Sequence, residues 1–270
     1  MSNQNKTPKE ILKTEENIKN IPELQESINN SIKNTSVSIE EETPEYDVDV
    51  PLENILKEKK VVNQDMLETA KQYAKKGLKV CVVTSVDAFM DKGYLMNPNQ
   101  DENTLYEVST LLPCLYAQNE TYFIPHQEDL KNGTINYLAN DDSMLIPKVT
   151  IFKDKERNLL PKEDWYNVDV LVSSAPNFEV MKDEPFMRYV DYSYVRYKRF
   201  RRMLSLLDYE NYDVVIFANY GKPETVNDIY SLIATLNEVL RGDMIYFKKA
   251  VVTLNEGEQE YFESIKDLLK

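Results

Sequence analysis

Glycine is scarce in this chain, six in 270 residues. Phosphate-cradling loops built on clustered glycines are correspondingly absent: there is no P-loop and no dinucleotide fingerprint. Histidine occurs once, as His126, so any Ser/His/Asp or Cys/His arrangement would have to include it. Gln127, Glu128 and Asp129 follow it, but no nucleophile elbow is present, and His126 reads as a solvated loop residue. The two cysteines, Cys81 and Cys114, lie in apolar stretches without CxxC or Cys/His ligand spacing. This excludes a disulfide framework and a structural zinc, and predicts buried thiols in a reducing compartment. No metal-ligand cluster and no cofactor motif is found. No run approaches eighteen apolar residues, and the N-terminus lacks the basic start and apolar core of a signal peptide. A cytoplasmic protein without a membrane partner is expected, in a cell's own cytosol or that of a virus-infected host. Positive charge is also short: 32 Lys and Arg face 46 Asp and Glu, a net charge of −14. Such a surface repels a phosphate backbone, so broad nucleic-acid binding is not expected. The one basic cluster, Arg196, Lys198, Arg199, Arg201 and Arg202, is interleaved with Tyr197, Phe200, Met203, Leu204 and Leu207 at helical spacing. It reads as the wet flanks of an amphipathic helix.

With 42% apolar residues, the chain is long enough for one substantial core preceded by a tail. Residues 1–55 form the expected tail, a mostly disordered acidic and polar extension. The first aromatic is Tyr46, and such a segment buries too little apolar area to offset its ordering entropy. Within it Ile18, Ile21, Leu24 and Ile28 make a weak helical stripe, read as nascent helix or as a docking segment for a protein partner. The acidic run from Glu40 to Asp49 reads as a solvated linker.

Residues 56–270 carry the globular pattern. Asn63 is placed to cap a helix presenting Met66, Leu67, Ala70, Tyr73 and Ala74 on one face, with Gly77 as its left-handed stop. Lys79 to Ser85 is a continuous apolar run of strand length, as in a strand covered on both faces. A helix is expected from Thr104 to Ala117, with others at Asp191 to Leu207, Thr225 to Leu240 and Gln259 to Leu269. Further strands are expected at Val149 to Phe152, Val168 to Ser173, Val214 to Ala218 and Lys249 to Leu254. Alternating strands and helices predict a three-layer α/β/α mixed sheet. Its ligand site belongs in the loops beyond the strand C-terminal ends, which begin at Val86, Ser174 and Asn219.

The order and content of these segments carry a resemblance. VVNQDMLETAKQYAKKGLKVCVVTS, QDENTLYEVSTLLPCLY, IPKVTIFKDKERNLL, VDVLVSSAPN and YDVVIFANYGKPETVND resemble, in order, five blocks of the microbial-type poly(ADP-ribose) glycohydrolases over roughly residues 60 to 269. The resemblance implies a macrodomain-like core and ADP-ribose, or an ADP-ribosylated protein, as the ligand. That family cleaves a ribose-ribose glycosidic bond, and the second Glu of its QEE motif is the general acid. The chemistry needs a carboxyl group that keeps its proton near the scissile oxygen. Here the motif reads Gln100-Asp101-Glu102, which makes Glu102 the candidate acid. Asp101, one methylene shorter than the family's Glu, stands where the ribose hydroxyls are contacted.

The phosphate loops depart further from the family. Its GGG reads Asp91-Lys92-Gly93, and its GxGVFGN reads Gly221-Lys222-Pro223-Glu224-Thr225-Val226-Asn227, followed by Asp228. Macrodomain-type sites hold a diphosphate with main-chain N–H groups, which need glycine for close approach and positive φ. Gly93, Gly221, Asn227 and Asp228 therefore remain as candidate binding residues with Gln100. Pro223 removes a donor, and Asp91 and Glu224 place negative charge where phosphates would sit. Lys92 and Lys222 offer point charges in exchange. Phe89, Tyr94 and Tyr220 are placed to stack an adenine or a distal ribose. Two functions stay open: a poly(ADP-ribose) glycohydrolase working through Glu102, and an inactive relative acting as a nucleotide-binding or protein-interaction module.

Overall fold

A computed structural model describes residues 9–39, 56–89, 101–207, 210–218, 220, 228–242, 247–254 and 257–269. Its core is a seven-stranded mixed sheet among these residues. The strands are β1 (Ser36–Ser38), β2 (Glu58–Val62), β3 (Val80–Ser85), β4 (Ser143–Ile151), β5 (Tyr166–Ser173), β6 (Val214–Phe217) and β7 (Lys249–Thr253). They lie in the order β1-β4-β5-β3-β6-β7-β2. The five strands from β5 to β2 are mutually parallel, whereas β4 runs antiparallel to both its neighbours.

Strand alternation sorts the core into two layers. Val80, Val82, Val170, Val172, Val214, Ile216 and Val251 face α1 (Lys9–Asn20), α2 (Pro22–Lys33), α3 (Met66–Ala74), α4 (Asp101–Val108) and α5 (Leu111–Tyr116). Cys81, Val83, Leu171, Val215, Phe217, Ala250 and Val252 face α8 (Tyr192–Ser205), α9 (Ile229–Gly242) and α10 (Phe262–Ile265). This is the three-layer arrangement the sequence predicts. Both cysteines are buried free thiols, and burial pushes the Cys114 thiol up to about 12. Among the described residues no helix is long and apolar enough to cross a membrane.

The N-terminal segment differs from expectation. Residues 9–38 are not a mobile arm: α1 and α2 form a hairpin whose Ile11, Ile18, Leu24 and Ile28 are buried in the core. The weak apolar stripe is therefore a packing face. Its energy comes from α4, α5 and β4, which a local reading of polar composition does not see. The edge strand β1 then pairs with β4, Val37 opposite Met144, and Arg202 of α8 fastens its end through Ser38 Oγ at 3.0 Å and Ile39 O at 2.7 Å. Residues 1–8 and 40–55 lie outside the described set.

Other departures are local. Asp65, not Asn63, caps α3 by accepting from the Glu68 amide at 2.8 Å. Gly77 has φ of 75° as expected. The helix expected from Thr104 to Ala117 breaks into α4 and α5, because Ser109 bridges to Ile151 and the Thr110 amide donates to Thr150 O at 3.0 Å. The C-terminal helix is shorter than expected, a 3-10 turn at Gln259–Tyr261 leading into α10. Between α5 and β4 lies a π-turn at Asn119–Phe123 followed by α6 (Ile124–Asn132), for which the sequence shows no apolar periodicity; α7 is the short turn Phe178–Met181 after β5.

Candidate functional site

An open cleft of about 600 Å³ lies at the C-terminal ends of β3 and β6, where parallel sheets place their ligands. Thr84 of β3 and Ala218, just beyond β6, form its floor. Sheet geometry holds them side by side, since the Ala218 amide donates to Val83 O at 3.1 Å. The first turn of α3 supplies Asp65, Met66 and Leu67, and α4 supplies Thr104 and Leu105. Lys155, Glu156 and Arg157 close one wall, and Gln259 stands at another. The carboxylate of Asp65 is partly engaged in its cap. A cleft of this volume is of the size that holds a nucleotide.

The charged wall is the tip of a hairpin. Lys153 bridges to Leu159, the Arg157 amide donates to Asp154 O at 3.0 Å, and the Asn158 amide donates to Asp154 Oδ1 at 2.8 Å. Arg157 takes φ of 67°, and its Nε donates to Glu107 Oε2 of α4 at 2.9 Å. Glu107 is itself connected to the N-terminal hairpin. Thr14 Oγ1 of α1 meets the Glu107 carbonyl oxygen and accepts from the buried Lys153 Nζ at 2.8 Å. Burial lowers the Lys153 pKa, opposed by the nearby Glu10. An ordered polar chain thus runs from α1 through α4 to the cleft wall.

Asp101 and Glu102 form the start of α4, immediately before the cleft-lining Thr104. Gly93, Gln100, Gly221 and Asn227, and with them Asp91, Lys92, Tyr94, Lys222, Pro223 and Glu224, lie outside the described residues. Tyr220 is placed differently from the expectation of an aromatic platform. It is buried, its ring packs on Phe200 with centroids 4.6 Å apart, and its hydroxyl lies 2.5 Å from Ser173 Oγ and 3.2 Å from Ser174 O. Burial pushes that phenol up to about 12. Asp228 caps α9, accepting from the Ser231 amide at 2.9 Å, and is not part of the cleft lining. Phe89 packs edge-on against Tyr137 at 5.7 Å.

Arg199 of α8 binds the start of the loop after β5. This residue is 1% exposed, and it donates from Nε to Asp141 Oδ1 at 3.0 Å, from Nη2 to Leu138 O at 3.0 Å, and from Nη1 to Ser174 O. Arg199 and Arg196 are therefore buried, contrary to the reading of this basic cluster as wet flanks. Lys198 also reaches Asp141, at 3.3 Å. The apolar face of α8 is as expected: Phe200, Met203 and Leu204 are buried. His126 is another correction. It is buried on α6, with Nδ1 2.6 Å from Tyr122 O, and Nε2 2.8 Å from Asn140 Oδ1 and 3.4 Å from Asp142 Oδ2. A single histidine surrounded by polar residues gives no sequence signal for such a cage. Of the cleft residues missed in the sequence, only Asp65 had one: Asp-x-x-Glu before an apolar run is a helix-start signature.

No protein-family model matches the chain, and no curated protein sequence matches it. Solved structures do. A poly(ADP-ribose) glycohydrolase from Deinococcus radiodurans in complex with ADP-ribose superposes with a TM-score of 0.70 at 16% identity, over 89% of this chain and 98% of that one. A point mutant of the same enzyme, also with ADP-ribose, gives 0.71 at 17% identity over 89% and 98%. The Thermomonospora curvata poly(ADP-ribose) glycohydrolase bound to the inhibitor ADP-HPD gives 0.65 at 18% identity, over 85% and 82%. The likeness covers 85% to 89% of this chain and establishes that it has the fold of these glycohydrolases.

Proposed function

We propose that the cleft above β3 and β6 binds an ADP-ribose-type ligand, free or attached to protein. The observation that carries this reading is the coincidence of an open cleft of about 600 Å³ at the strand C-terminal ends with a fold shared by Deinococcus structures in complex with ADP-ribose. Calorimetric titration of the full chain with ADP-ribose tests it. Saturable binding in the micromolar range is the expected result. A folded protein that gives no heat would refute it and leave a protein-interaction role.

A second reading, glycoside hydrolysis, is favoured by one feature: Gln100-Asp101-Glu102 leads directly into α4, whose next turn lines the cleft. In that reaction Glu102 gives its proton to the leaving ribose oxygen as the glycosidic C–O bond breaks, and water supplies the new oxygen at the anomeric carbon. Against it stand Asp91, Pro223 and Glu224 in the loops. Release of ADP-ribose from polymer by the parent protein, reduced at least a hundredfold in Glu102→Gln, would establish the enzyme. Equal turnover by parent and variant would remove Glu102 from the mechanism, and binding without turnover would identify a reader of the modification.

A further inference from the structure

We propose that Arg157 is the anion anchor of the cleft, taking the diphosphate of the bound ligand in place of main-chain amides of glycine-rich loops. This rests on the reading of the cleft as a nucleotide site and adds the residue that recognises the charge. Three observations converge on it. First, Arg157 lines the same cleft as Thr84 and Ala218. Second, its guanidinium is oriented but not exhausted. Nε donates to Glu107 Oε2 at 2.9 Å and Nη1 donates to Lys155 O at 2.8 Å, whereas Nη2 has no hydrogen bond among the described residues. A guanidinium carries five N–H donors in a rigid fork, suited to an anion that accepts two at once. Lys155, largely exposed on the same wall, carries a second positive charge but lies 3.9 Å from the Glu156 carboxylate. With Asp65 and Glu156 also in the lining, the anion contact falls to the Arg157 guanidinium.

The third observation is the backbone. Hairpins closed by a turn and one left-handed residue normally put glycine or asparagine in the left-handed position. Here that conformation, φ of 67°, is taken by Arg157, with the turn held by the Asp154 bonds described above. A strained non-glycine residue at a cleft is a reason to look for function in its side chain. Recognition by this side chain also accounts for how a ligand carrying two negative charges could be held in a chain with a net charge of −14 and six glycines.

The test uses the full chain and calorimetric titration with ADP-ribose, inorganic pyrophosphate and adenosine, comparing the parent with Arg157→Gly and Arg157→Lys. Glycine relieves the backbone conformation but leaves Glu107 without its partner, so circular dichroism and the thermal midpoint are measured beside binding. Arg157→Lys keeps a positive charge for Glu107 where the glycine variant is destabilised. The expected result is that Arg157→Gly weakens ADP-ribose and pyrophosphate at least tenfold and leaves adenosine unchanged, with Arg157→Lys in between. Undiminished ADP-ribose binding by Arg157→Gly overturns the anchor and leaves the ADP-ribose reading intact. Arg157-dependent binding of pyrophosphate without any ADP-ribose binding retains the anion site and sinks that reading. No binding of any probe by the folded parent overturns both.

Discussion

Truncating Leu24 to alanine tests whether the N-terminal hairpin is part of the domain. Leu24 is completely buried in the same core cluster as Met144, Ile146 and Leu115. Removing a buried leucine side chain costs about 2–5 kcal/mol, from lost transfer energy and from the cavity left behind. Taking about 3 kcal/mol and about 2 °C per kcal/mol for a chain of this size, the thermal midpoint should fall by about 6 °C. The control is Leu12, one position from the buried Ile11 but 51% exposed, where alanine should change stability by no more than about 0.5 kcal/mol. Urea unfolding followed by circular dichroism measures both. If Leu24→Ala and Leu12→Ala behave alike, the hairpin does not pack as described and the polar chain from α1 to the cleft has no footing.

Thr14→Val keeps the shape of that residue but takes away the oxygen that receives Lys153 Nζ; leaving this buried ammonium without its acceptor should cost about 1–3 kcal/mol in urea unfolding, and Thr14→Ser should recover most of it. Glu58 tests the opposite edge of the sheet. Hydrogen bonds from Lys249 and Lys60 hold its carboxyl below its ordinary value of 4.5, so the unfolded chain takes up the proton first as pH falls. The stabilisation is therefore present above about 4.5 and lost below it. Urea midpoints should show Glu58→Gln less stable than the parent near neutrality, with the gap closing on acidification; a gap independent of pH would mean the ion pairs contribute nothing.

The sheet was legible because β3, β5, β6 and β7 are covered on both faces and read as short continuous apolar runs. The first half of β4 was missed, since Pro147 and Lys148 interrupt its pattern at a bulge. That bulge is pinned from elsewhere, by Asp169 Oδ1 accepting the Lys148 amide at 2.7 Å while Asp169 Oδ2 accepts the Tyr212 hydroxyl at 2.6 Å. The hairpin of α1 and α2 was underestimated for a related reason. A stripe of four apolar residues in a polar segment is too weak alone, and becomes a face only when α4, α5 and β4 are in place to cover it. The cleft lies at the ends of β3 and β6, where two of the three loops expected from the topology begin. The side chains there come from positions far apart in the chain, Asp65, Thr104, Arg157 and Gln259, and no local spacing joins them. Arg199 and His126 were misread because charge predicts exposure unless a partner is known, and Asp141, Asn140 and Asp142 reach them only through the fold.

Magnitudes decide how Arg157 should be understood. Holding an L-residue in the left-handed region costs about 1–2 kcal/mol. Its pair with Glu107 offsets part of that cost. The Arg157 side chain is 39% exposed but that of Glu107 only 9%, so the pair is open to solvent on one side only, and removing the arginine leaves a nearly buried carboxylate without its partner. The pair with Glu107 also ties the guanidinium to α4 while leaving Nη2 without a hydrogen bond among the described residues. Orientation by a buried carboxylate lowers the ordering cost of a long side chain before any ligand arrives, which is what the proposed anion contact requires in a chain with six glycines.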